Sequence, residues 1–217
     1  MTPPRIKICC ISSIDEARLA IAGGASALGL VSAMPSGPGV IEEEAIAGIV
    51  RALPSHIDTF MLTARQHADA IIDQQRRCGP TTLQLVDHVP EAELIRLRRA
   101  LPRVALVQVI HVTGSESIDE ACAVAPHVDA ILLDSGNQKL AVKELGGTGR
   151  VHDWTISRAI RERCGKPMYL AGGLNANNVR DAITQVQPFG VDICSGVRSD
   201  GKLDEIKFRA FIAAARK

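Results

Sequence analysis

Two side chains in this sequence could together move protons on a small molecule: the thiol of Cys9 and the carboxyl group of Asp134. Each stands at the end of a short apolar run that predicts a β-strand. A thiol acts as a base or nucleophile once its pKa is lowered, and a carboxyl group acts as an acid once its pKa is raised. Lys7 shares a strand face with Cys9, so its charge would favour the thiolate.

Both groups also have purely structural interpretations. A free cysteine is usually a small buried hydrophobic residue, and an aspartate at the end of a strand often caps a turn. The alternation of side chains along a strand predicts that Cys10 faces away from Cys9. Only one of these two adjacent thiols is therefore expected at a site.

Glycine turns in the second half of the chain predict a phosphate site. Gly172 and Gly173 follow one apolar run, and Ser195 and Gly196 follow the next. Glycine lets backbone N–H groups approach an anion closely, although a glycine pair can also serve only to make a tight turn. Glycines after both runs favour the phosphate interpretation.

A further glycine-rich segment predicts a mobile lid over the site. It contains Gly147, Thr148 and Gly149, and glycines supply the backbone freedom that a hinge needs. An ordinary long loop is the alternative interpretation.

These candidate residues all lie at the ends of strands in an alternating pattern of strands and helices. The predicted strands are Arg5–Cys10, Ala27–Ser32, Asp58–Thr63, Thr82–Val86, Val104–His111, Ala130–Asp134, Met168–Ala171 and Val191–Ser195. Eight strand–helix units of about 27 residues predict an α/β protein with a single closed (β/α)₈ barrel domain over residues 1–217. A doubly wound sheet is the competing architecture, but Lys7–Ile11 lacks the glycine-rich turn that it would need.

The barrel explains why the candidate residues are spaced so widely. Active sites of such barrels lie at the C-terminal ends of the strands, and the loops after strands seven and eight frequently bind phosphate. Cys9 and Asp134 would then meet at one mouth, with the glycine turns beside them.

Composition excludes several other classes of function. The 25 Lys and Arg residues nearly balance the 24 Asp and Glu residues, and aromatic residues are only 3%, so neither a nucleic-acid nor a membrane partner is expected. The six cysteines and six histidines show no metal-ligand spacing, so we expect no metal.

Scattered cysteines indicate a reducing, cytoplasmic compartment. The sequence leaves a monomer and a homodimer equally open.

Several motifs, in order along essentially the whole chain, resemble those of the phosphoribosylanthranilate isomerase family. They are Lys7-Ile8-Cys9, Gly146-Gly147-Thr148-Gly149 with Asp153-Trp154, Ala171-Gly172-Gly173-Leu174, Asn178-Val179, and Gly190-Val191-Asp192 with Ser195-Gly196-Val197. The resemblance implies a (β/α)₈ fold and a cofactor-free Amadori rearrangement of a phosphorylated substrate in tryptophan biosynthesis. It also implies that Cys9 is the general base and Asp134 the general acid, with Gly172, Gly173, Ser195 and Gly196 at the phosphate.

Four segments depart from the family pattern. Ser36–Gly39 stands where the family usually has Ser-Pro-Arg, whose arginine holds the anthranilate carboxylate, and Gln84–Asp87 stands where it has Gln-Leu-His-Gly. Cys10 replaces a glycine, and Arg198 replaces an acidic residue. Losing a charge-assisted pair typically removes about 1.5–3 kcal/mol.

The departures leave three interpretations open. The chain is a divergent isomerase of this family, a paralogous isomerase of another phosphorylated sugar, or a non-catalytic barrel that binds phosphorylated metabolites. A divergent isomerase would need a substitute cation, for which Arg65, His111 and Arg198 are the candidates. For each of the three taken singly, a solvated surface group is the favoured interpretation.

Overall fold

Eight parallel strands close into a barrel in the order β1 to β8, with helices packed around it. The computed structural model describes residues 3–136, 145 and 149–217. The strands are β1 (Arg5–Ile8), β2 (Ala27–Val31), β3 (Asp58–Thr63), β4 (Thr82–Leu85), β5 (Ala105–His111), β6 (Ala130–Asp134), β7 (Met168–Leu170) and β8 (Gly190–Ile193). The predicted (β/α)₈ architecture is confirmed.

Each strand is followed by a helix on the outside of the barrel. The helices are α1 (Ile14–Ala22), α2 (Glu43–Ala52), α3 (Ala68–Cys78), α4 (Glu91–Ala100), α5 (Glu116–Val124), α6 (Trp154–Cys164), α7 (Val179–Val186) and α8 (Glu205–Arg216). A short hairpin that the sequence does not predict, β9 (Arg198–Ser199) and β10 (Lys202–Leu203), separates β8 from α8. No helix among the described residues is long and apolar enough to span a membrane.

Local sequence explains several helix ends. Ser13 caps α1, because its side chain accepts a hydrogen bond from the backbone N–H of Glu16. Gly79 and Gly165 end α3 and α6 with φ angles of 73° and 62°, a backbone conformation that glycine adopts without steric cost.

The apolar residues form two layers, one between the barrel and its helices and one inside the barrel. On β1, Ile6 and Ile8 belong to the outer layer, which packs against the helices. Lys7 points the other way and is fully buried inside the barrel. The side-chain alternation of β1 therefore holds through Ile8 and fixes which residues can reach the barrel interior.

Candidate active site

A pocket of about 640 Å³, its open mouth included, lies at the C-terminal ends of the strands. Cys9, Asp134, Gly172, Gly173 and Ser195 all line it, although they come from four different strand ends. The volume falls within the range of about 300–1,000 Å³ that small-molecule sites occupy. The fold thus brings most of the predicted site residues together.

Cys9 lies just beyond the end of β1, with its side chain buried in the inner layer. Its backbone N–H donates a 2.8 Å hydrogen bond to the carbonyl oxygen of Ile193, which continues the pairing of β1 with β8. A Cβ atom at Gly29 on β2 would lie 2.8 Å from Cys9 Sγ and 3.1 Å from Lys7 Nζ. Because Gly29 has no side chain, the thiol of Cys9 and the ammonium group of Lys7 have room beside each other.

Lys7 is held by a buried ion pair inside the barrel. Its Nζ lies 2.8 Å from Asp192 Oδ2, and the two residues are direct partners in the pairing of β1 with β8. Nζ also lies 5.3 Å from the centroid of the Phe60 ring. Burial is the largest single influence and acts to lower the pKa of Lys7, but the charge and hydrogen bond of Asp192 together with the neighbouring cysteines outweigh it, and the pKa is raised. Lys7 therefore keeps a positive charge next to Cys9.

Asp134 ends β6 and presents its carboxyl group to the same pocket. Burial raises its pKa above the ordinary value, while a 2.7 Å hydrogen bond from the Ser135 N–H and the neighbouring His111 act in the opposite direction. A raised pKa keeps more of a carboxyl group protonated near neutral pH, which is what a general acid requires. The carboxyl group of Asp134 and the thiol of Cys9 thus belong to one pocket.

The glycine turn after β7 brings backbone amides to the pocket. Gly172 and Gly173 have φ angles of 83° and 62°. A Cβ atom at Gly173 would lie 2.6 Å from the carbonyl carbon of Arg150, and one at Gly172 would lie 2.9 Å from Nδ1 of His152. Neighbouring parts of the chain pass so close to both positions that a side chain would collide with them. Glycine is therefore required at both positions, whether or not an anion is bound.

The amides at this end of the pocket are open to a ligand. Within the described ranges, the N–H groups of Gly172, Gly173 and Ser195 donate to no protein acceptor. Gly196 does not line the pocket, and it packs closely against the carbonyl oxygen of Leu174. Its place at a phosphate remains a prediction.

One end of the predicted lid reaches this part of the pocket. Gly149 lines it, and a Cβ atom at Gly149 would lie 4.0 Å from Ser195 Oγ. Gly147 and Thr148 lie outside the described residues. The lid assignment of these two residues therefore stays a prediction.

Cys10 also lines the pocket, so the predicted orientation of this residue is wrong. Strand β1 ends at Ile8, and Cys10 has a φ angle of 63°, in the left-handed region that few residues other than glycine adopt. This conformation reverses the side-chain alternation that the sequence pattern assumed. Cys9 and Cys10 consequently both belong to the inner layer.

Three departures from the family pattern contact one another. Cys10 Sγ donates a 3.5 Å hydrogen bond to the carbonyl oxygen of Pro38, and a Cβ atom at Gly39 would lie 2.5 Å from Cys10 Cβ. Arg198 donates hydrogen bonds to the carbonyl oxygens of Cys9 and Cys10. The larger side chain at position 10 is thus accommodated by glycine in the loop after β2 and held by an arginine after β8.

None of the three candidate cations lines the pocket. Arg65 pairs with Glu43 at 3.4 Å, and Nε2 of His111 lies 3.0 Å from the carbonyl oxygen of Val86. Arg198 is committed to the backbone of the β1 loop. The part of the pocket wall that the structure describes contains no Lys, Arg or His side chain.

Sequence reasoning missed two polar side chains in the pocket wall, Asp192 and Gln84. A signal for Asp192 was present, because an acidic residue inside the apolar strand β8 must find a buried partner, and barrel closure puts Lys7 beside it. Gln84 Oε1 is buried without a hydrogen-bond partner in the described part of the chain. No cluster of three or more metal-ligating side chains occurs among the described residues.

Comparisons with known proteins agree with this geometry. The family described as N-(5'phosphoribosyl)anthranilate (PRA) isomerase matches residues 6–214. N-(5'-phosphoribosyl)anthranilate isomerase 2 of Methanosarcina mazei is 36% identical over 214 residues, covering 98% of this chain and 94% of that protein.

Solved structures of the same family superpose closely on the barrel. Phosphoribosyl anthranilate isomerase from Thermotoga maritima gives a TM-score of 0.84 at 28% identity, covering 98% of both chains. A phosphoribosyl anthranilate isomerase in complex with reduced 1-(o-carboxyphenylamino)-1-deoxyribulose 5-phosphate gives 0.82 at 27% identity, again over 98% of both chains. From the fold, the pocket and these matches together, the chain belongs to the N-(5'-phosphoribosyl)anthranilate isomerase family.

Proposed function

We propose that this protein is an isomerase that converts N-(5'-phosphoribosyl)anthranilate into 1-(o-carboxyphenylamino)-1-deoxyribulose 5-phosphate, a step of tryptophan biosynthesis. The observation that carries the proposal is the pocket that Cys9 and Asp134 line together with Gly172 and Gly173. The reaction moves protons within one molecule and needs an acid, a base and a site for the phosphate.

Asp134 is proposed as the general acid that opens the ribose ring. Its carboxyl group donates a proton to the ring oxygen, the bond from that oxygen to C1′ breaks, and a protonated Schiff base forms between C1′ and the anthranilate nitrogen. The raised pKa of Asp134 supports this role, because burial favours the protonated form that a general acid requires.

Cys9 is proposed as the general base. Its thiolate removes the proton from C2′ of the Schiff base, and the electrons of that bond form an enolamine that tautomerises to the ketone. The geometry supports this role, because Cys9 lines the same pocket as Asp134 and the charged side chain of Lys7 lies beside its sulfur.

The phosphate of the substrate is proposed to bind the amides of Gly172, Gly173 and Ser195, with Gly196 completing the turn. Inorganic phosphate should therefore raise the Tm of the protein by binding only the folded state. Ser195→Asp should abolish this rise by like-charge repulsion, whereas the matched neutral variant Ser195→Asn should keep most of it. Gly173→Val is a poor probe, because its side chain would collide with the Arg150 backbone.

A paralogous isomerase that acts on a different phosphorylated sugar is the second candidate. It is favoured by one observation: the described wall of the pocket carries no cation for the carboxylate of anthranilate. Both candidates use the same acid, base and phosphate site, so only the substrate distinguishes them.

Growth rescue separates the two candidates. The gene is expressed in a tryptophan auxotroph that lacks this isomerase, alongside a Cys9→Ser control. Growth with the wild-type gene and none with the control supports the proposal. Failure to grow while folded protein accumulates in the cells would favour the second candidate.

A cytosolic location is part of the proposal, and the six free cysteines support it.

A further inference from the structure

Two thiols from neighbouring strand ends lie against each other in the pocket wall. Cys10 follows β1, Cys194 follows β8, and their Sγ atoms are 2.7 Å apart. A covalent S–S bond is about 2.05 Å long, so the two sulfur atoms need to move by less than about 1 Å to bond. The strands that carry them pair directly, so the backbone needs no large movement to bring the thiols together.

The backbone of Cys10 adopts a conformation that cysteine disfavours, and neighbouring residues hold it there. Its φ angle of 63° is one in which glycine would be relaxed and a cysteine is strained. Arg198 fixes the carbonyl oxygen of Cys10, and Gly39 closes on its Cβ from the other side. Strain of this kind persists where the surroundings over-determine a conformation, and it is concentrated at functional positions.

We propose that Cys10 and Cys194 form an oxidisable thiol pair, a modification site that closes to a disulfide with a hydroperoxide and switches the isomerase off. The inference rests on the proposed function for its effect on catalysis, but the disulfide itself is independent of that function.

Cys194 is the thiol that reacts first. It is partly exposed at the pocket, whereas Cys10 is buried. The contact with Cys10 and the guanidinium of Arg198 lower the pKa of Cys194 despite its burial, and the same contact raises the pKa of Cys10. The thiolate is the reactive form of cysteine, and a thiol that a reagent can reach beside a second thiol is typical of redox-sensitive sites.

The chemistry balances in two steps. The Cys194 thiolate attacks one oxygen of hydrogen peroxide, the O–O bond breaks, and a sulfenic acid forms while the departing hydroxide takes up a proton as water. The sulfur of Cys10 then attacks the sulfenic sulfur, its thiol proton leaves with the hydroxyl group as a second water, and the S–S bond forms. Two thiols lose two protons and two electrons, and one peroxide is reduced to two waters.

The disulfide should stop catalysis because it removes a contact that shapes the pocket. The thiol of Cys10 donates to the carbonyl oxygen of Pro38, and the loop that carries Pro38 lines the pocket. Once the thiol proton is lost, that hydrogen bond cannot form. The new bond also pulls on the residues next to it, Cys9 at the proposed base and Ser195 at the proposed phosphate site.

The chain contains its own comparison pair. Cys122 on α5 and Cys164 on α6 have their Sγ atoms 3.1 Å apart, in the outer helical layer and away from the pocket. Oxidation there should leave the pocket unaffected. A Cys122→Ser/Cys164→Ser variant therefore separates the effect of the pocket pair from that of oxidation elsewhere.

Peptide mapping decides whether the disulfide forms. The protein is treated with a small excess of hydrogen peroxide, its free thiols are alkylated, and it is digested with trypsin. We expect peptide Ile8–Arg18 joined to Asp181–Arg198, with the mass of the two peptides less two hydrogen atoms and with one alkyl group added on the free thiol of Cys9. A Cys9→Ser variant should give the same joined product, which assigns the bond to Cys10 rather than to its neighbour. Absence of this product in both proteins would overturn the proposal.

Activity measured on the same samples decides whether the disulfide is a switch. After peroxide treatment, the activity of wild type and of the Cys122→Ser/Cys164→Ser variant should each be about tenfold or more below that of the untreated dithiol form. Dithiothreitol should restore it. Cys194→Ser should show no loss that dithiothreitol reverses. A joined peptide without loss of activity would contradict the switch. If reduced wild type has no isomerase activity at all, the proposed function fails while the peptide map still decides the thiol pair.

Discussion

The guanidinium of Arg198 donates a 3.0 Å hydrogen bond to the carbonyl oxygen of Cys9, the residue that we assign as the base. Its Nη1 lies 3.0 Å from Glu16 Oε1, and the two side chains are only 7% and 13% exposed. The arginine therefore ties the hairpin β9–β10 to the loop after β1, and it sets the backbone position of the thiol without lining the pocket.

Arg198→Met should lower kcat by about 10²-fold, because a displacement of the reacting group of about 1 Å has that effect. KM should change less than kcat, since the amides of Gly172 and Gly173 lie on the loop after β7 and Arg198 does not line the pocket. Glu16→Gln is the matched control, because it removes the ion pair while Arg198 can still donate to the carbonyl oxygen. Steady-state kinetics of both variants check this, and an unchanged kcat in Arg198→Met would contradict the positioning role.

Cys10→Gly should be more stable than Cys10→Ala by about 1 kcal/mol, because only glycine adopts the φ angle of 63° without steric cost. Both changes remove the sulfur, so the difference in stability between the two variants reports the cost of the positive φ angle. Denaturant unfolding of the two variants measures the difference. Equal stability, or a more stable alanine variant, would mean that the left-handed conformation at this position is incorrect.

Lys7→Met should destabilise the fold by about 3–5 kcal/mol, because it leaves Asp192 buried without its partner. The double variant Lys7→Met/Asp192→Leu should recover most of that stability, since it removes both charges. Unfolding free energies of wild type, the double variant and the single variants Lys7→Met and Asp192→Leu complete a double-mutant cycle. Additive losses would show that the two charges do not depend on each other.

Asp134→Asn should raise stability at neutral and alkaline pH while it removes activity. Burial raises the pKa of Asp134 above its ordinary value of 3.8, so the folded state holds this proton more tightly than the unfolded state does. Wild type therefore loses stability relative to the variant as pH rises from about 4 through the folded-state pKa. Thermal unfolding across this range tests the direction, and an advantage of the variant that shrinks with rising pH would refute it.

Much of the barrel could be predicted from the sequence because its pattern is local and repeated. Strands β3 and β6 begin and end at the predicted residues. The hairpin β9–β10 was not predicted, since strands of two residues are too short to leave a hydrophobic pattern.

The site could be predicted only where strand position determined it. Cys9 and Asp134 were identified as strand-end residues, which the barrel necessarily brings to one mouth. Cys10 was misplaced, because a positive φ angle is signalled by glycine and a cysteine gives no such signal. Its contact with Cys194 joins residues 184 positions apart and depends on closure of the barrel, which no local pattern shows.

The most direct measurement of the central claim is turnover of purified, reduced protein with N-(5'-phosphoribosyl)anthranilate in D₂O, followed by NMR. We predict that wild type forms the product ketone at C2′ with deuterium at C1′, and that Cys9→Ser and Asp134→Asn are each slower by about 10²-fold or more. Wild-type turnover that both variants retain, or no turnover by folded wild type, would contradict the assignment of this pocket.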